Sequence, residues 1–449
     1  MAFKLFENFE IRDFLLFLSA ILTIYVAQYY YKYFTRVNPL PGPFPFPFVG
    51  NLPQYYLWFN GENKKFYEYN YKKYGDICEV QFNERAIVLS RTEYIEKLLT
   101  PSTKNSHVVR FPDNEGLEEL GIEGKGIFDE KSDHPLAIVD DSVKLVQALR
   151  KHLLGFIMFV NVSSFLRHYV PFFKNKADDL LQNVRFINKR LDEIIKRRRQ
   201  TIENTPLNEP LTNDMLTSLI TANTSRDVNH TKTVGGEALN RPMTDTEIRG
   251  IIFDGFLGGT DTTANTISFV TYYLAHNQDV KKKLIEEIDR IFQGDETRPI
   301  TENDFQKLKY CEAIVKEVSR VLTIAPVFTR YINKPDEIAG YKWPAGTMFR
   351  INADAIHYNK DYWEDPDKFN PDRWMAEGFE SKKLSFLMFG GGLRLCPGRK
   401  LAMIELVCLI ALFYRKYEID LVDMNAPLKV INGGVTACGE LLTKIKHRK

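Results

Sequence analysis

The chain has 449 residues, of which 44% are hydrophobic and 26% are charged, a composition typical of a globular protein that can bury a large core. Its 60 lysine and arginine residues almost balance its 58 aspartate and glutamate residues, so the net charge is only +2. This balance argues against nucleic acid as a partner, because phosphate binding normally requires an excess or a stripe of positive charge.

The first predicted element is a membrane anchor over residues 1–37. No charged residue occurs between Phe14 and Tyr31, and this run is close to the roughly 20 residues that a helix needs to cross a bilayer. Lys32 and Arg36 follow it, so the positive-inside rule predicts a cytosolic location for the rest of the chain. A cleaved signal peptide is one alternative, although no small-residue cleavage site follows the apolar run. A buried core helix is the other.

A proline-rich segment over residues 38–51 follows the anchor. Its five prolines fix φ and remove backbone donors, so neither a helix nor a central strand is expected there. We expect a stiff, extended hinge that leads to the body of the protein, residues 52–449. A ligand for a proline-recognising module is the alternative, which the phenylalanines between the prolines disfavour because they favour burial.

Helices are predicted to dominate the body. The short alternating runs over 74–99 indicate a β-hairpin followed by a helix, and apolar periodicity over 142–198 indicates helices. The polar stretch 222–243 predicts a loop. Long helices are expected over 244–323 and strands over 326–350. The predicted fold class is therefore mainly α with small β-sheets, not a doubly wound sheet.

One predicted helix, Thr244–His276, begins at a capping box and has an unusual centre. Each residue of the pair Gly258-Gly259 costs about 1 kcal/mol relative to alanine in a helix interior, so the pair indicates a kink or the close approach of another group. The apolar neighbours on both sides suggest that Asp261 and Thr262 face a buried cavity. A helix break, with Asp or Thr capping the next helix, explains the pattern equally well.

A second feature is the pair Glu317 and Arg320, which stand at positions i and i+3 of a predicted helix. Such pairs usually lie at the surface and contribute little. Glu317, however, lies off the polar stripe of its helix, beside Ala313 and Ile314, and a carboxylate in apolar surroundings needs a partner. Arg320 is that partner, and the pattern leaves room for a second cation.

The third feature is a glycine-rich segment, Phe389–Gly398, that contains Arg394 and Cys396. Its three adjacent glycines allow the backbone to pass close to a flat partner. Cys396 comes just before the apolar predicted helix Lys400–Tyr414, where the helix dipole and free N–H groups favour a thiolate. The five cysteines include no CxxC pair, which disfavours a disulfide framework or a zinc ribbon. A buried structural cysteine in a glycine turn is the alternative.

Taken together, these segments resemble the cytochrome P450 family. The haem-binding signature of that family, F-x-x-G-x-R-x-C-x-G, is matched by Phe389, Gly392, Arg394, Cys396 and Gly398. This motif is highly specific, since chance agreement at all five positions is small. The style of the sequence is similar to that of fungal microsomal members.

The upstream motifs resemble the family in the same order and spacing. Glu317–Arg320 is similar to its E-x-x-R motif, and residues 258–263 are similar to its oxygen-groove motif. Residues 369–374 resemble the P-E-R-F segment, with Asp372 and Trp374 as variants. The resemblance implies that Arg373 completes a buried triad with Glu317 and Arg320.

The resemblance implies a P450-like fold that binds haem b, iron protoporphyrin IX, through the sulfur of Cys396. It implies a monooxygenase of the endoplasmic reticulum membrane that uses O2 on a lipophilic small-molecule substrate. Electrons would come from a separate NADPH-dependent cytochrome reductase, because no flavin or nicotinamide fingerprint is present. By the same likeness, Asp261 and Thr262 deliver protons, while Arg330 and Arg394 contact the haem propionates.

The sequence departs from the family over residues 105–150. Members carry a helix with a W-x-x-x-R motif there, which helps to hold the propionates, but this stretch has no tryptophan and is several tens of residues shorter than expected. His107, Arg110 and Arg330 are candidate replacement cations. Two alternatives stay open: a shortened, haem-deficient pseudoenzyme of the same fold, and an oxygen-independent haem-thiolate isomerase or dehydratase. Retention of Asp261 and Thr262 argues against the second alternative.

Overall fold

A computed structural model describes the fold for residues 11–100, 142–227 and 241–448. The α-helices in these ranges are α1 (Ile11–Phe34), α2 (Leu52–Phe59), α3 (Asn63–Tyr74), α4 (Thr92–Leu99), α5 (Ser142–Gly155), α6 (Ile157–Asn161), α7 (Ser164–Tyr169), α8 (Pro171–Asn204), α9 (Met215–Thr221), α10 (Asp245–His276), α11 (Gln278–Phe292), α12 (Glu302–Lys307), α13 (Lys309–Val321), α14 (Ala353–His357) and α15 (Arg399–Lys416). The strands there are β1 (Ile77–Gln81), β2 (Arg85–Leu89), β3 (Val327–Tyr331), β4 (Asp336–Ile338), β5 (Tyr341–Trp343), β6 (Met348–Asn352), β7 (Tyr417–Leu421), β8 (Lys429–Asn432), β9 (Thr436–Glu440) and β10 (Thr443–His447). The same ranges contain two short 3-10 helices, Pro371–Trp374 and Gly392–Arg394.

The elements follow the predicted order. The hairpin and helix expected over 74–99 are β1, β2 and α4, and the helices expected over 142–198 are α5 to α8. The long helices expected over 244–323 are α10 to α13, and the strands expected over 326–350 are β3 to β6. The prediction of a mainly α fold with small β-sheets is therefore confirmed.

Some predictions concern residues outside the described ranges. These are the candidate cations His107 and Arg110, most of the shortened stretch 105–150, and the centre of the loop predicted over 222–243. The ends of that loop that are described contain bends and turns but no helix or strand, as predicted.

The largest sheet in the described ranges has four strands in the order β1-β2-β6-β3. Strands β2 and β6 run parallel, and the other two pairings are antiparallel. Ile87 and Leu89 point to one face of β2 and Ala86 and Val88 to the other, and all four are buried. Apolar groups therefore cover both faces of this inner strand, which explains why its sequence shows a nearly continuous apolar run.

The helical core is formed where α10, α11, α13 and α15 pack on one another. Phe269 of α10, Leu284 of α11, Ile314 of α13 and Val407 of α15 belong to one buried apolar cluster. A Thr244–Glu247 capping box starts α10, as predicted from the sequence. Because α15 begins three residues after Cys396, this packing ties the position of the cysteine loop to the core.

The proline-rich segment has no helix or strand over residues 39–45, as expected, but it lies against the sheet and closes a tight turn over 46–50, where Phe46 pairs with Gly50. The N–H of Glu79 on β1 donates to the carbonyl of Pro41 at 2.9 Å, and the side chain of Asn51 donates to the carbonyl of Pro43 at 3.0 Å. A Cβ at Gly42 would overlap the carbonyl of Glu79, so only glycine allows this close approach. The prolines leave backbone carbonyls as acceptors, which the neighbouring elements use.

Helix α1 is the one helix in the described ranges that is long and apolar enough to cross a membrane, judged by length and composition. None of its residues is buried, which excludes the alternative of a core helix. Its tyrosines contact the phenylalanines of the proline-rich segment: the rings of Tyr25 and Phe48 stack at 4.1 Å, and those of Tyr30 and Phe44 at 5.4 Å. These contacts pack α1 against the proline-rich segment.

The predicted triad is present and buried. The Glu317 carboxylate has no exposed surface, and it accepts hydrogen bonds from Arg320 at 2.8 and 3.0 Å and from Arg373 at 3.1 Å. The indole N–H of Trp374 and the backbone N–H of Asn370 also donate to it, at 2.9 and 3.0 Å. The second cation that the sequence left room for is thus Arg373, and the carboxylate is fully satisfied.

Arg320 also binds the end of α14 and the loop that follows it. Its guanidinium donates to the carbonyls of His357, Pro366 and Lys368 at 3.0, 2.7 and 3.0 Å. One buried ion pair therefore fixes the backbone between α14 and the 3-10 helix at Pro371–Trp374.

Glu317→Gln should lower the free energy of unfolding by about 3–5 kcal/mol, because it leaves two buried guanidinium groups without their anion. Urea denaturation of the detergent-solubilised full chain measures this loss. The matched control is Glu312→Gln on the same helix, whose half-exposed pair with Lys316 should be worth only about 0–1 kcal/mol. Equal losses in the two variants would contradict the role given to the buried network.

Candidate functional site

The loop that carries Cys396 is held by its own backbone. The N–H of Cys396 donates to the carbonyl of Phe389 at 2.9 Å, and the N–H of Leu395 donates to that of Gly392 at 3.1 Å. Gly390 and Gly392 have φ of 75° and 72°, a region that glycine adopts without strain. A Cβ at Gly392 would also lie 2.6 Å from the carbonyl oxygen of Leu99. The glycines therefore let this loop turn tightly against the end of α4.

Cys396 lies where the sequence predicted it, just before the N-terminus of α15. The first intrahelical bond runs from Ala402 to Gly398 at 2.8 Å, so the N–H groups that precede it have no intrahelical partner. The thiol is half-buried. The N–H of Arg399, the first residue of α15, donates to the carbonyl of Cys396 at 3.4 Å. The positive end of a helix dipole favours negative charge on a sulfur at such a position.

The other four cysteines have a different environment. Burial raises the pKa of the thiols of Cys78, Cys311, Cys408 and Cys438, and that of Cys78 reaches about 12. These thiols stay neutral at physiological pH and pack as small apolar groups. Cys396 differs from them because it lies at a helix N-terminus on a glycine-rich loop.

Helix α10 runs without interruption through its glycine pair. The hydroxyl of Thr262 donates to the carbonyl of Gly258 at 2.6 Å, one turn earlier. The alternative of a helix break, with Asp or Thr capping a second helix, is therefore wrong. Gly258 and Gly259 are exposed, and a Cβ built on either meets nothing within 4 Å. The glycines thus leave open space beside the helix, which agrees with the expected approach of another group.

Asp261 is half-buried and carries an unsatisfied atom. Its Oδ2 is buried and has no hydrogen-bond partner among the described residues. Burial raises the pKa of this carboxyl, while the positive charge of Arg150 on α5 opposes the shift. The neutral, protonated form therefore persists to higher pH than in an ordinary aspartate.

The backbone around Asp261 is fixed by three elements. Asn265 donates to the carbonyl of Asp261 at 2.6 Å and accepts the N–H of Cys438 on β9 at 2.7 Å. Arg150 donates to the carbonyl of Cys438 at 2.6 Å. Helices α5 and α10 and strand β9 therefore meet beside the backbone of Asp261. These contacts are long-range, and no local sequence pattern predicts them.

The two arginines expected near the cysteine loop lie on elements that approach it. Arg330 on β3 is buried, lies over the ring of Phe328, and donates to the carbonyls of Thr329 and Gly391 at 2.8 and 3.3 Å. Arg394 is half-buried in the 3-10 turn that precedes Cys396. Gly391 belongs to the cysteine loop, so the contact from Arg330 joins β3 directly to that loop.

Two contributors to the site were missed by the sequence analysis. Trp374 was treated only as a variant of the P-E-R-F segment, whereas its indole N–H donates a hydrogen bond to the Glu317 carboxylate. His357 was not singled out, although its ring contacts the segment that leads into the cysteine loop. An isolated histidine or tryptophan carries no periodic signal, so the positions of these side chains emerge only from the tertiary contacts.

Comparisons with known proteins agree with these features. The family model described as cytochrome P450 matches residues 40–135 and 133–447, two segments that overlap at residues 133–135. A putative cytochrome P450 of Caenorhabditis elegans, CYP13A5, is 32% identical over 61% of this chain and 53% of its own length. A steroid 17-alpha-hydroxylase/17,20 lyase of Mesocricetus auratus is 30% identical over 58% of this chain and 50% of its own length.

A third relative, cytochrome P450 4V2 of Rattus norvegicus, is 33% identical over 41% of this chain and 34% of its own length. The chain thus spans about half the length, or less, of these curated relatives. The family model nevertheless covers nearly the whole body of the protein, including the cysteine loop, the triad and α10. The chain therefore belongs to the cytochrome P450 family.

Proposed function

We propose that this protein is a haem-thiolate monooxygenase that inserts one oxygen atom of O2 into a lipophilic organic substrate. The observation that carries the proposal is the loop at Cys396, which places a half-buried thiol at the N-terminus of α15 within the family's haem-binding motif. We assign Cys396 as the ligand of the iron, and Phe389, Gly392, Arg394, Gly398 and Arg330 as further contacts of the haem.

The residues present fit a haem. The sulfur donor lies on a glycine-rich loop that allows a flat group to approach the backbone closely. Open space borders Gly258 and Gly259 on α10, a helix that packs against α15. On the same stretch of helix, Asp261 offers a buried oxygen that has no partner among the described residues. Arg330 and Arg394 supply positive charge for the propionates.

A bound haem supplies the oxidative chemistry, and thiolate ligation favours cleavage of the O–O bond. The protein's own contribution begins with the sulfur, whose negative charge is stabilised by the N–H groups at the start of α15. The backbone bond from Cys396 to Phe389 keeps the loop in one conformation. The charge and the position of the ligand are thus set before the cofactor binds.

Asp261 and Thr262 hold and pass protons in this proposal. Burial raises the pKa of the half-buried Asp261 carboxyl, so this group takes up and releases a proton at higher pH than an ordinary aspartate does. The hydroxyl of Thr262 donates to the carbonyl of Gly258 at 2.6 Å, which leaves its oxygen lone pairs free to accept a hydrogen bond. To pass a proton on, the hydroxyl must turn its hydrogen away from that carbonyl while its oxygen accepts the next proton. A chain of this kind needs both residues in the order in which α10 presents them.

The substrate is proposed to be lipophilic because apolar side chains line the expected pocket. Leu257 is buried next to the glycine pair, and Val327 and Phe328 are half-buried at the start of β3. Electrons are proposed to come from a separate NADPH-dependent cytochrome reductase. Exposed Arg399 and Lys400, at the start of α15 beside Cys396, offer it a positive docking surface.

The body of the protein is proposed to lie on the cytosolic side of the endoplasmic reticulum membrane. Helix α1 is exposed, apolar and long enough to span the bilayer, and Lys32 and Arg36 follow at the side that leads into the body. The proline-rich segment then docks on the sheet and sets the distance between membrane and site.

The proposal is tested by the absorbance of the reduced, CO-treated protein after expression with a haem precursor. A red-shifted Soret band, the sign of thiolate ligation, is expected. Cys396→Ser should abolish this band, because a neutral hydroxyl is a poor ligand for haem iron. Cys408→Ser, which changes a half-buried cysteine on α15, the helix that follows Cys396, should leave it intact. A protein without haem absorbance would support the haem-deficient alternative and refute the proposal.

Thr262→Ala should reduce the product formed per electron consumed several-fold, because the hydroxyl that relays protons is lost. Product yield and NADPH consumption are measured together with a turnover substrate identified by screening. The matched control is Thr266→Ala, one turn later, whose hydroxyl makes the same kind of bond to the carbonyl of Thr262 at 2.8 Å. Equal coupling in the two variants would remove the proton-relay role.

Removal of residues 1–37 should release the protein from membranes into the soluble fraction, while the CO-difference spectrum stays that of the full chain. Fractionation by ultracentrifugation before and after alkaline carbonate extraction measures the association. If the truncated protein remains in the membrane pellet, α1 is not the anchor that this proposal requires.

A further inference from the structure

One buried histidine joins the triad network to the cysteine loop. His357, at the end of α14, is fully buried, and its Nε2 accepts the backbone N–H of Leu387 at 2.8 Å. Its Nδ1 lies 2.9 Å from the hydroxyl of Thr323, the second residue after the end of α13. The carbonyl of the same residue accepts a hydrogen bond from Arg320. His357 is therefore held on both sides, by ring and by backbone.

The donors around the ring fix its tautomer. A backbone N–H can only donate, so Nε2 must be the unprotonated acceptor, and the proton of the neutral ring sits on Nδ1. That N–H donates to the hydroxyl oxygen of Thr323. Burial, aided by the positive charge of Arg320, lowers the pKa of His357 to about 3, which keeps the ring neutral at physiological pH.

Leu387 is the point at which the chain turns into the cysteine loop. It is buried, and its carbonyl accepts the N–H of Gly390 at 3.0 Å, which closes the turn that leads to Phe389. Phe389 in turn accepts the N–H of Cys396. The imidazole is thus linked to Cys396 by three hydrogen bonds and the short stretch of backbone between Leu387 and Gly390. The centre of the Phe386 ring also lies 5.6 Å from that of the His357 ring.

We propose that His357 is a positioning residue for the cysteine loop: its neutral imidazole transmits the position of the Glu317–Arg320 network to Leu387, and through the Leu387–Gly390 turn to Cys396. This inference rests on the proposed function for its meaning, because the position of Cys396 matters as that of an iron ligand. It assigns to a single residue, His357, the connection between two motifs that lie far apart in sequence.

The decisive variant is His357→Phe, which keeps a ring of similar shape but removes the acceptor for Leu387. In the haem-free full chain, hydrogen–deuterium exchange of the peptide that contains Leu387 should rise about tenfold, the equivalent of one lost hydrogen bond. Alkylation of Cys396 by iodoacetamide, measured in a Cys408→Ser background, should also become faster. In the haem-loaded protein, the share of thiolate-ligated CO complex should fall at temperatures well below unfolding.

Two comparisons separate positioning from general stability. His357→Gln, whose amide oxygen can accept the Leu387 N–H, should restore slow exchange and the thiolate share. His152→Phe changes another fully buried histidine, one whose ring nitrogens have no hydrogen-bond partner among the described residues, and should alter neither readout. Unchanged exchange at Leu387 in His357→Phe, or equal effects of His152→Phe, would overturn the proposal.

The wild-type protein gives a test that does not depend on any variant folding. The imidazole ¹⁵N resonances of His357 should report a neutral ring protonated at Nδ1 across the physiological pH range, and an Nε2-protonated or charged ring would overturn the proposal. Failure of the proposed function is distinguished from failure of this inference, because exchange, alkylation and the ring tautomer are all measured without haem.

Discussion

The structure depends on the neutralisation of one buried carboxylate. Glu317 lies inside the helical core without exposed surface, and an isolated charge there would be strongly destabilising. Arg320 and Arg373 neutralise this charge. The remaining donors of Arg320 bind three backbone carbonyls, at the end of α14 and in the loop that follows it. The ion pair therefore also fixes the backbone of His357, the residue whose ring contacts the segment that leads into the cysteine loop.

The residues that can change charge at the site differ in environment from the residues that hold the loop in place. Four thiols are held neutral by burial, whereas Cys396 lies at a helix N-terminus whose N–H groups favour an anion. The buried imidazole of His357 stays neutral, while the half-buried carboxyl of Asp261 retains its proton to higher pH. The buried groups around the site thus keep one charge state at physiological pH. The groups that can gain or lose a proton are Asp261 on α10 and Cys396 just before α15.

Much of this arrangement was predictable from sequence, because it is encoded locally. The capping box at Thr244, the position of Cys396 before a helix, and the i, i+3 pair at Glu317 all depend on residues close together in the chain. The roles of Trp374 and His357, and the meeting of Arg150 with β9 near Asp261, depend on long-range packing that no periodicity reports. The sequence alone left two interpretations of the glycine pair in α10. A helix that leaves space for a neighbouring group and a helix that breaks would both use glycines at these positions.

The central claim is that the sulfur of Cys396 binds haem iron. Iron K-edge X-ray absorption of the purified haem-loaded protein tests it most directly, because sulfur scatters differently from nitrogen and oxygen. We predict one sulfur neighbour bound to the iron in the wild-type protein, which disappears in Cys396→Ser and persists in Cys408→Ser. An iron surrounded by nitrogen and oxygen alone in the wild-type protein would contradict the account.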